Sequence, residues 1–220
     1  MRIIIVNGSP RRKGLTAAFL HAIEKRLVSR GAEVVFYHIA DLDIQPCAGC
    51  CTCYRSGQCI YDDDGERLSR EIADADGIVI GSPTYASNVS GQLKIFIDRG
   101  HFVIEQLLRG KYAVTVATGE NYGSRDTSAV LGRLVSYSGA YISRRIVHNA
   151  PFGSEEVDVK KAVRAADRLY DDIKRKRNYP VQSIKHAVVF GAGIRPFVKR
   201  KGELYRGVVN KWAASGVTAK

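Results

Sequence analysis

The sequence predicts an α/β protein built on one doubly wound, five-stranded parallel sheet with the strand order 2-1-3-4-5. Three observations support this prediction. Short β-branched, apolar runs alternate with segments of helical periodicity along residues 1–178. The runs are apolar throughout, as at residues 3–6, which indicates strands that are buried on both faces. Polar loops that contain glycine follow several of the runs, where the carboxyl edge of a parallel sheet would bind a ligand.

The strands are rich in valine, isoleucine and other apolar residues, and they are predicted at 2–6, 33–39, 77–81, 111–118 and 140–147. A six-stranded dinucleotide-binding sheet is the alternative. That fold places a G-x-G-x-x-G motif directly after the first strand, and this sequence has none there. The five-stranded sheet is therefore preferred.

The helices that alternate with the strands are predicted at 15–30, 65–73, 90–103, 124–138 and 155–177. The first has apolar residues at helical spacing from Leu15 to Leu27, and Gly31 ends it. Three aspartates lie at 62–64. Acidic residues are favoured at a helix N-terminus, so these aspartates are interpreted as the start of the second helix. The last helix is long and basic.

Residues 1–178 are assigned to one domain, and residues 179–220 to a C-terminal helical extension that packs on the domain or on a neighbouring subunit. Residues 186–198 are apolar, but Gly191, Gly193 and Pro196 interrupt them. Periodicity does not distinguish a strand from an interrupted helix there. A short terminal helix is predicted at 205–214.

The formal net charge of +12 resides in the C-terminal part of the chain, since residues 1–158 carry equal numbers of basic and acidic side chains. The basic residues form a solvated helix face or a docking patch for an acidic partner or subunit. No nucleic-acid recognition motif accompanies them, so a nucleic-acid partner is not expected. The longest apolar runs are too short to span a bilayer, and residues 1–10 do not resemble a signal peptide. A cytoplasmic protein with no membrane partner is expected.

The loop between strand 1 and the first helix could bind a phosphate. A helix N-terminus offers unpaired N–H groups and a partial positive charge. Hydroxyl groups and a cation lie beside it, and glycine lets the backbone approach closely. The candidate residues are Ser9, Arg11, Gly14, Leu15 and Thr16. The alternative is an ordinary tight turn with solvated basic residues.

Two further strand-end loops are small and polar, and each carries an aromatic residue that could lie against a flat ring. Together with the phosphate loop they outline a pocket for a flat cofactor that carries a phosphate. The candidate residues are Pro83, Thr84, Tyr85, Ala86 and Asn88 in one loop, and Thr118, Gly119, Asn121, Tyr122 and Gly123 in the other.

These segments, GSPRRKGLT, SPTYASNVSGQLKIFIDR and the loop at 118–124, resemble the NADPH-dependent FMN reductase branch of the flavodoxin-like proteins. The resemblance covers about residues 1–150. It implies FMN, bound through its phosphate by the first loop and through its ring and ribityl chain by the other two. It also implies a homodimer or homotetramer with the flavin near a subunit interface. The family often has a bulky aromatic residue at the position of Ala86, so stacking would depend on Tyr85 and a neighbouring subunit.

Five cysteines lie between Cys47 and Cys59, and Cys47, Cys50, Cys53 and Cys59 have the spacing C-x2-C-x2-C-x5-C. Compact C-x2-C-x2-C spacing is typical of a cubane iron–sulfur cluster. Zinc and free or oxidised thiols are the alternatives. The segment PCAGCCTCYRSGQCIYDDD resembles the iron–sulfur flavoprotein subgroup, which implies a [4Fe–4S] cluster on these four residues. Cys51 is then a bystander.

The combined expectation is an FMN-dependent oxidoreductase that moves electrons between a reduced donor, NAD(P)H or ferredoxin, and an acceptor. Because such chemistry belongs to the cofactors, no catalytic acid or base is assigned. The histidines, including His38 and His101, are expected to be structural or solvated. The rivals are an FMN or quinone reductase without a cluster, which uses NAD(P)H directly, and a flavodoxin-like electron carrier.

Overall fold

A five-stranded parallel sheet forms the centre of the computed structural model, which describes residues 1–151, 154 and 156–217. The strand order is β2-β1-β3-β4-β5, and all four neighbouring pairs are parallel. The predicted sheet and its order are therefore confirmed. The strands are β1 (Arg2–Asn7), β2 (Glu33–His38), β3 (Gly77–Pro83), β4 (Tyr112–Gly119) and β5 (Tyr141–Asn149).

Helices cover both faces of the sheet. They are α1 (Leu15–Ser29), α2 (Thr52–Ser56), α3 (Asp64–Asp74), α4 (Gly91–Arg99), α5 (Phe102–Glu105), α6 (Ser124–Tyr137), α7 (Val159–Lys174), α8 (Pro180–Val188), α9 (Arg195–Arg200) and α10 (Arg206–Ala214). No stretch of helix in the described part of the chain combines the length and the apolar composition that crossing a bilayer requires.

The sheet separates two apolar cores, as its continuous apolar strands predict. One core packs side chains of α1 and α7, such as Phe19 and Leu169, against alternate strand residues such as Ile3 and Ile5. The other places α3, α4, α5 and α6 against the opposite set, which includes Ile4. Alternate residues of a strand point to opposite faces, so a strand buried on both sides is apolar at every position.

Two predicted helices differ from the structure by more than one residue at an end. The helix predicted at 90–103 is divided into α4 and α5, because His101 adopts a left-handed φ of 47°. Gly100 allows this sharp turn, since a Cβ there would lie 2.3 Å from the Phe102 ring. The helix predicted at 155–177 starts at Val159, where the Asp158 side chain caps it, and it ends at Lys174. Its predicted first residue, Glu155, lies outside the described residues.

The segment that periodicity left undecided is helical. Helix α8 continues through a π-helical turn, Val189–Ile194, into α9. A proline inside an α-helix clashes with the carbonyl four residues earlier, and the wider π turn before Pro196 relieves such crowding. The extension also forms a small core of its own, which includes Phe190 and Trp212. The division at residue 178 stays a prediction.

Candidate functional site

The first strand-end loop leaves β1 in close contact with β3. The Gly8 amide donates to the Gly81 carbonyl at 2.8 Å, and the Ser90 hydroxyl donates to the Gly8 carbonyl. A Cβ on Gly8 would lie 2.7 Å from the Leu93 side chain and 2.8 Å from the Gly81 oxygen. Glycine is therefore required at position 8, and the loop starts from a fixed point on the sheet.

The N-terminus of α1 suits an anion. Gly14 precedes the helix without a side-chain cap, and the first turn contains no acidic residue. The first amides of a helix have no partner within the helix, so they can meet an external acceptor, and the helix dipole favours a negative charge. Thr16 is buried beside this turn, and its hydroxyl lies 2.7 Å from the Thr118 hydroxyl at the end of β4. The geometry fits the phosphate end of a cofactor.

A cavity of about 350 Å³ lies at the carboxyl edge of the sheet, between the three loops. Most of the predicted cofactor residues line it: Ser9, Arg11, Gly14, Leu15, Thr16, Pro83, Thr84, Tyr85, Thr118 and Gly119. Sequence reasoning missed Lys13, Glu120, Ala150, Pro151 and Ser154, which also line it. The volume lies within the usual range for ligand pockets, and the Tyr85 ring, half exposed in the free protein, offers an aromatic face.

The remaining predicted residues, Ala86, Asn88, Asn121, Tyr122 and Gly123, do not line this cavity. Tyr85 and Asn88 exchange two backbone hydrogen bonds of 3.0 Å across a tight turn with positive φ at Ala86 and Ser87. Gly123, also at positive φ, packs on that turn, where an added Cβ would be 2.7 Å from the Ser87 hydroxyl. These residues fix the two loops against each other, while Tyr122 is exposed.

The cysteine loop follows β2, so it starts from the same edge of the sheet. Its two ends are held together at the base, because the Asp63 carboxylate accepts hydrogen bonds from the amides of Gln45 and Gly65 at 3.0 Å each. A pair of hydrogen bonds between Asp43 and Asp64 adds to this closure. Residues 46–62 therefore form a loop whose two ends are held together. Asp63 caps α3, as the acidic run at 62–64 predicts.

The five cysteines differ in exposure, and none forms a disulfide. Cys47, Cys50 and Cys51 are exposed, Cys59 is half-buried, and Cys53 is buried in the first turn of α2. Hydrogen bonds with Thr52 lower the pKa of the Cys50 thiol. Within the described residues, no three Cys, His, Asp or Glu side chains converge as a metal site requires. The donor set fits a thiolate-bound metal, while the thiols are not gathered around one point.

Comparison with known proteins relates the cavity and the cysteine loop to one protein family. The profile of the NADPH-dependent FMN reductase family matches residues 1–153, which contain the cavity loops and all five cysteines. The chain belongs to this family. Its flavodoxin-like fold is shared by an NAD(P)H:quinone oxidoreductase from Methanothermobacter marburgensis, with a TM-score of 0.62 and 17% identity over 76% of this chain and 97% of that one.

The family assignment extends to its iron–sulfur members. An iron–sulfur flavoprotein of Clostridioides difficile (strain 630) is 30% identical over 99% of this chain and 100% of that protein. An iron–sulfur flavoprotein of Archaeoglobus fulgidus is 28% identical over 98% of this chain and 99% of that protein. The resemblance inferred from the motifs is confirmed, and the chain is an FMN-binding, flavin-dependent oxidoreductase.

Sequence reasoning missed two residues of this FMN reductase family member that contact the cysteine loop. Arg99, at the end of α4, adjoins Cys59, and His101 adjoins Cys53. Burial alone would lower the pKa of His101, but hydrogen bonds with Cys53 and Glu105 outweigh it and raise the pKa to about 10. The expectation that His101 is merely structural or solvated overlooked this contact. In the sequence, only the ending Asp98–Arg99 of the segment SPTYASNVSGQLKIFIDR indicated this region.

The C-terminal extension covers the other side of α2. The Tyr205 ring stacks on Tyr54 at 4.6 Å between centroids, and Gly207 lies against Gly57. Trp212 is buried, and its indole N–H donates to the Ile104 carbonyl at 2.9 Å. A larger cavity of about 680 Å³, between α3, α5 and α10, is lined by charges of both signs but by no residue of the cavity loops.

Proposed function

We propose that this protein carries FMN and a [4Fe–4S] cluster and transfers electrons between a reduced donor and an acceptor. The observation that carries the proposal is the loop of four suitably spaced thiols. It leaves the same sheet edge as the flavin cavity and has a closed base of buried charges. The names of the relatives that span the whole chain support the cluster.

The chain's own residues have separate tasks in this proposal. Ser9, Arg11, Gly14, Leu15 and Thr16 would hold the phosphate, with the Thr16–Thr118 hydroxyl pair fixing α1 to β4. Residues 83–88 and 118–123 would hold the ring and the ribityl chain. Cys47, Cys50, Cys53 and Cys59 would hold the cluster, and Cys51 would hold none of it. When bound, the flavin accepts electrons in pairs and releases them singly, and the cluster carries one at a time.

The donor is proposed to be NAD(P)H or a ferredoxin, and the acceptor a small molecule or redox protein. The flavin would lie near the interface of a homodimer or homotetramer, where a second subunit could supplement Tyr85. Reduced free thiols are typical of the cytoplasm, which is the proposed location.

The second candidate is a cluster-less NAD(P)H-dependent FMN or quinone reductase, and the dispersed thiols favour it. A flavodoxin-like electron carrier would show flavin absorption alone and would not be bleached rapidly by NAD(P)H. The cluster-less reductase, the electron carrier and the proposed iron–sulfur flavoprotein therefore give different results in one anaerobic absorption experiment.

The test is anaerobic purification followed by absorption spectroscopy and assays of iron and sulfide. We expect flavin bands together with broad iron–sulfur absorption. Cys59→Ser should lose iron, whereas Cys51→Ser, the matched control within the same loop, should keep it. Iron lost in Cys51→Ser but kept in Cys59→Ser would contradict the ligand set. Flavin bands without iron in the wild type would favour the cluster-less reductase.

A further inference from the structure

Arg99 is the most deeply buried cation beside the cysteine loop. Only 2% of its side chain is exposed, and its partner Asp63 is 6% exposed. The guanidinium donates two parallel hydrogen bonds to the Asp63 carboxylate, at 2.7 and 2.9 Å, and a third to the Gln45 carbonyl at 2.7 Å. Planar, bidentate pairing of this kind fixes orientation, which a lysine could not reproduce.

These contacts place one side chain at both ends of the loop. Gln45 lies two residues before Cys47, and Asp63 lies four residues after Cys59. The Tyr61 ring lies 4.8 Å from the guanidinium carbon and covers it from the loop side. Arg99 thus joins α4, on the core of the sheet, to the entry and the exit of the cysteine segment.

One donor of this buried group is not used. Among the described residues, the Nε–H of Arg99 has no hydrogen-bond acceptor. A buried donor without an acceptor is costly, so an unpaired one in a native site points to a missing partner. The guanidinium adjoins the side chain of Cys59.

We propose that Arg99 is a positioning residue for the metal-binding loop, which closes the base of the loop and directs a permanent positive charge and a hydrogen bond at the Cys59 side of the cluster. The inference rests on the proposed function. A thiolate-bound cluster is negatively charged, and hydrogen bonds to its sulfurs set its reduction potential. Arg99 would stabilise the reduced form, which carries one more negative charge, and so raise the potential.

The decisive variant removes the charge without stranding a buried partner. Arg99→Gln alone would leave Asp63 as an uncompensated buried carboxylate, whereas Asp63→Asn with Arg99→Gln keeps two neutral, hydrogen-bonding side chains. The measurements are FMN content, iron and sulfide content, and the midpoint potential of the cluster followed by EPR. Hydrogen exchange of residues 46–62 in metal-free protein reports loop closure separately.

We expect the double variant to keep FMN at the wild-type level, because neither residue lines the flavin cavity. Its cluster should be harder to reduce by at least tenfold in the reduced-to-oxidised ratio, about 59 mV for one electron. Its loop should exchange faster. Arg99→Lys keeps the positive charge, so its cluster should have a midpoint potential between those of the double variant and the wild type. Asp172→Asn with Arg177→Gln is the matched control, since Arg177 pairs with the fully buried Asp172 of α7 at 2.7 Å.

A double variant with wild-type potential, iron content and hydrogen exchange would overturn the inference. So would an equal loss in the control that carries Asp172→Asn with Arg177→Gln, which would mean general destabilisation. Wild-type protein that binds FMN but takes up no iron after reconstitution would contradict the proposed function and the electrostatic role of Arg99. Hydrogen exchange would still decide whether Arg99 closes the loop.

Discussion

Gly207→Ala tests whether the C-terminal extension supports the cysteine loop. A Cβ at position 207 would lie 2.2 Å from the Gly57 nitrogen and 2.8 Å from its Cα. Both atoms belong to the backbone directly after α2, so no side chain can rotate away. Helix α10 must therefore move away from α2 by more than 1 Å to restore ordinary contact, which begins near 3.4 Å.

The magnitude follows from two opposing effects. Overpacking of a well-packed contact costs about 1–3 kcal/mol, and a contact between two backbones belongs in the upper half of that range. The better helix propensity of alanine returns about 1 kcal/mol. A net loss of about 1–2 kcal/mol lowers the Tm of a chain of this size by about 2–8 °C.

Gly191→Ala is the matched control, because an added Cβ there meets no heavy atom within 4 Å and Gly191 has no positive φ. It should leave the Tm unchanged or raise it slightly. Calorimetry at saturating FMN measures both variants, and alkylation of the buried Cys53 thiol reports on α2. We expect faster alkylation of Cys53 in Gly207→Ala alone. Equal stability and equal Cys53 reactivity in the two variants would refute the reasoning.

Three further outcomes are expected. Arg11→Ala should weaken FMN binding by about 1.5–3 kcal/mol, measured by fluorescence titration. Arg12→Ala should have little effect on FMN binding, since Arg12 pairs with an aspartate and does not line the cavity. Equal losses of FMN affinity in the two variants would contradict the assignment of this loop to the phosphate. Burial, with help from a nearby arginine, lowers the pKa of His186 below 6.5, so its stabilisation is complete above pH 6.5 and is lost as the pH falls below that value. The contribution of His186 to the free energy of unfolding should therefore fall between pH 7 and 5, whereas His101, whose pKa is raised, contributes with the opposite sign. The free energy of unfolding of the wild type relative to that of His186→Gln should drop over this range; identical pH profiles would exclude a contribution from His186. Neutralising the exposed basic residues 199–201 should slow reduction by an acidic protein donor at low salt but not by a small uncharged reagent, and an equal loss with both would indicate a folding role.

The sheet and the cavity could be predicted because their signals are local. A strand buried on both faces is apolar at every residue, and Gly31 marks the end of a helix in the sequence itself. Parallel topology then brings the strand-end loops to one edge without any knowledge of long-range contacts. This is why ten of the predicted cofactor residues line one cavity.

The support of the cysteine loop could not be predicted, because it depends on contacts between distant parts of the chain. Arg99 meets Gln45 across 54 positions and Asp63 across 36. Apart from its place at the end of the family-like segment SPTYASNVSGQLKIFIDR, nothing near Arg99 in the sequence distinguishes it from a solvated arginine at the end of a helix. The break after α4 was equally hidden, because the periodicity continues through Gly100 although the backbone turns there.

The two candidate cofactor sites are constructed in different ways, and this difference bears on how the protein would work. The flavin cavity lies on strand ends and short loops that hydrogen bonds such as Gly8–Gly81 hold in place, so its shape exists before a ligand binds. The cysteine loop is long, its thiols are dispersed, and its order comes from a buried ion pair at the base and from α10 on its outer side. Cluster binding would then order the loop, whereas FMN would enter a cavity that is already formed. Perturbing Gly207 or Arg99 should therefore change iron retention much more than flavin retention.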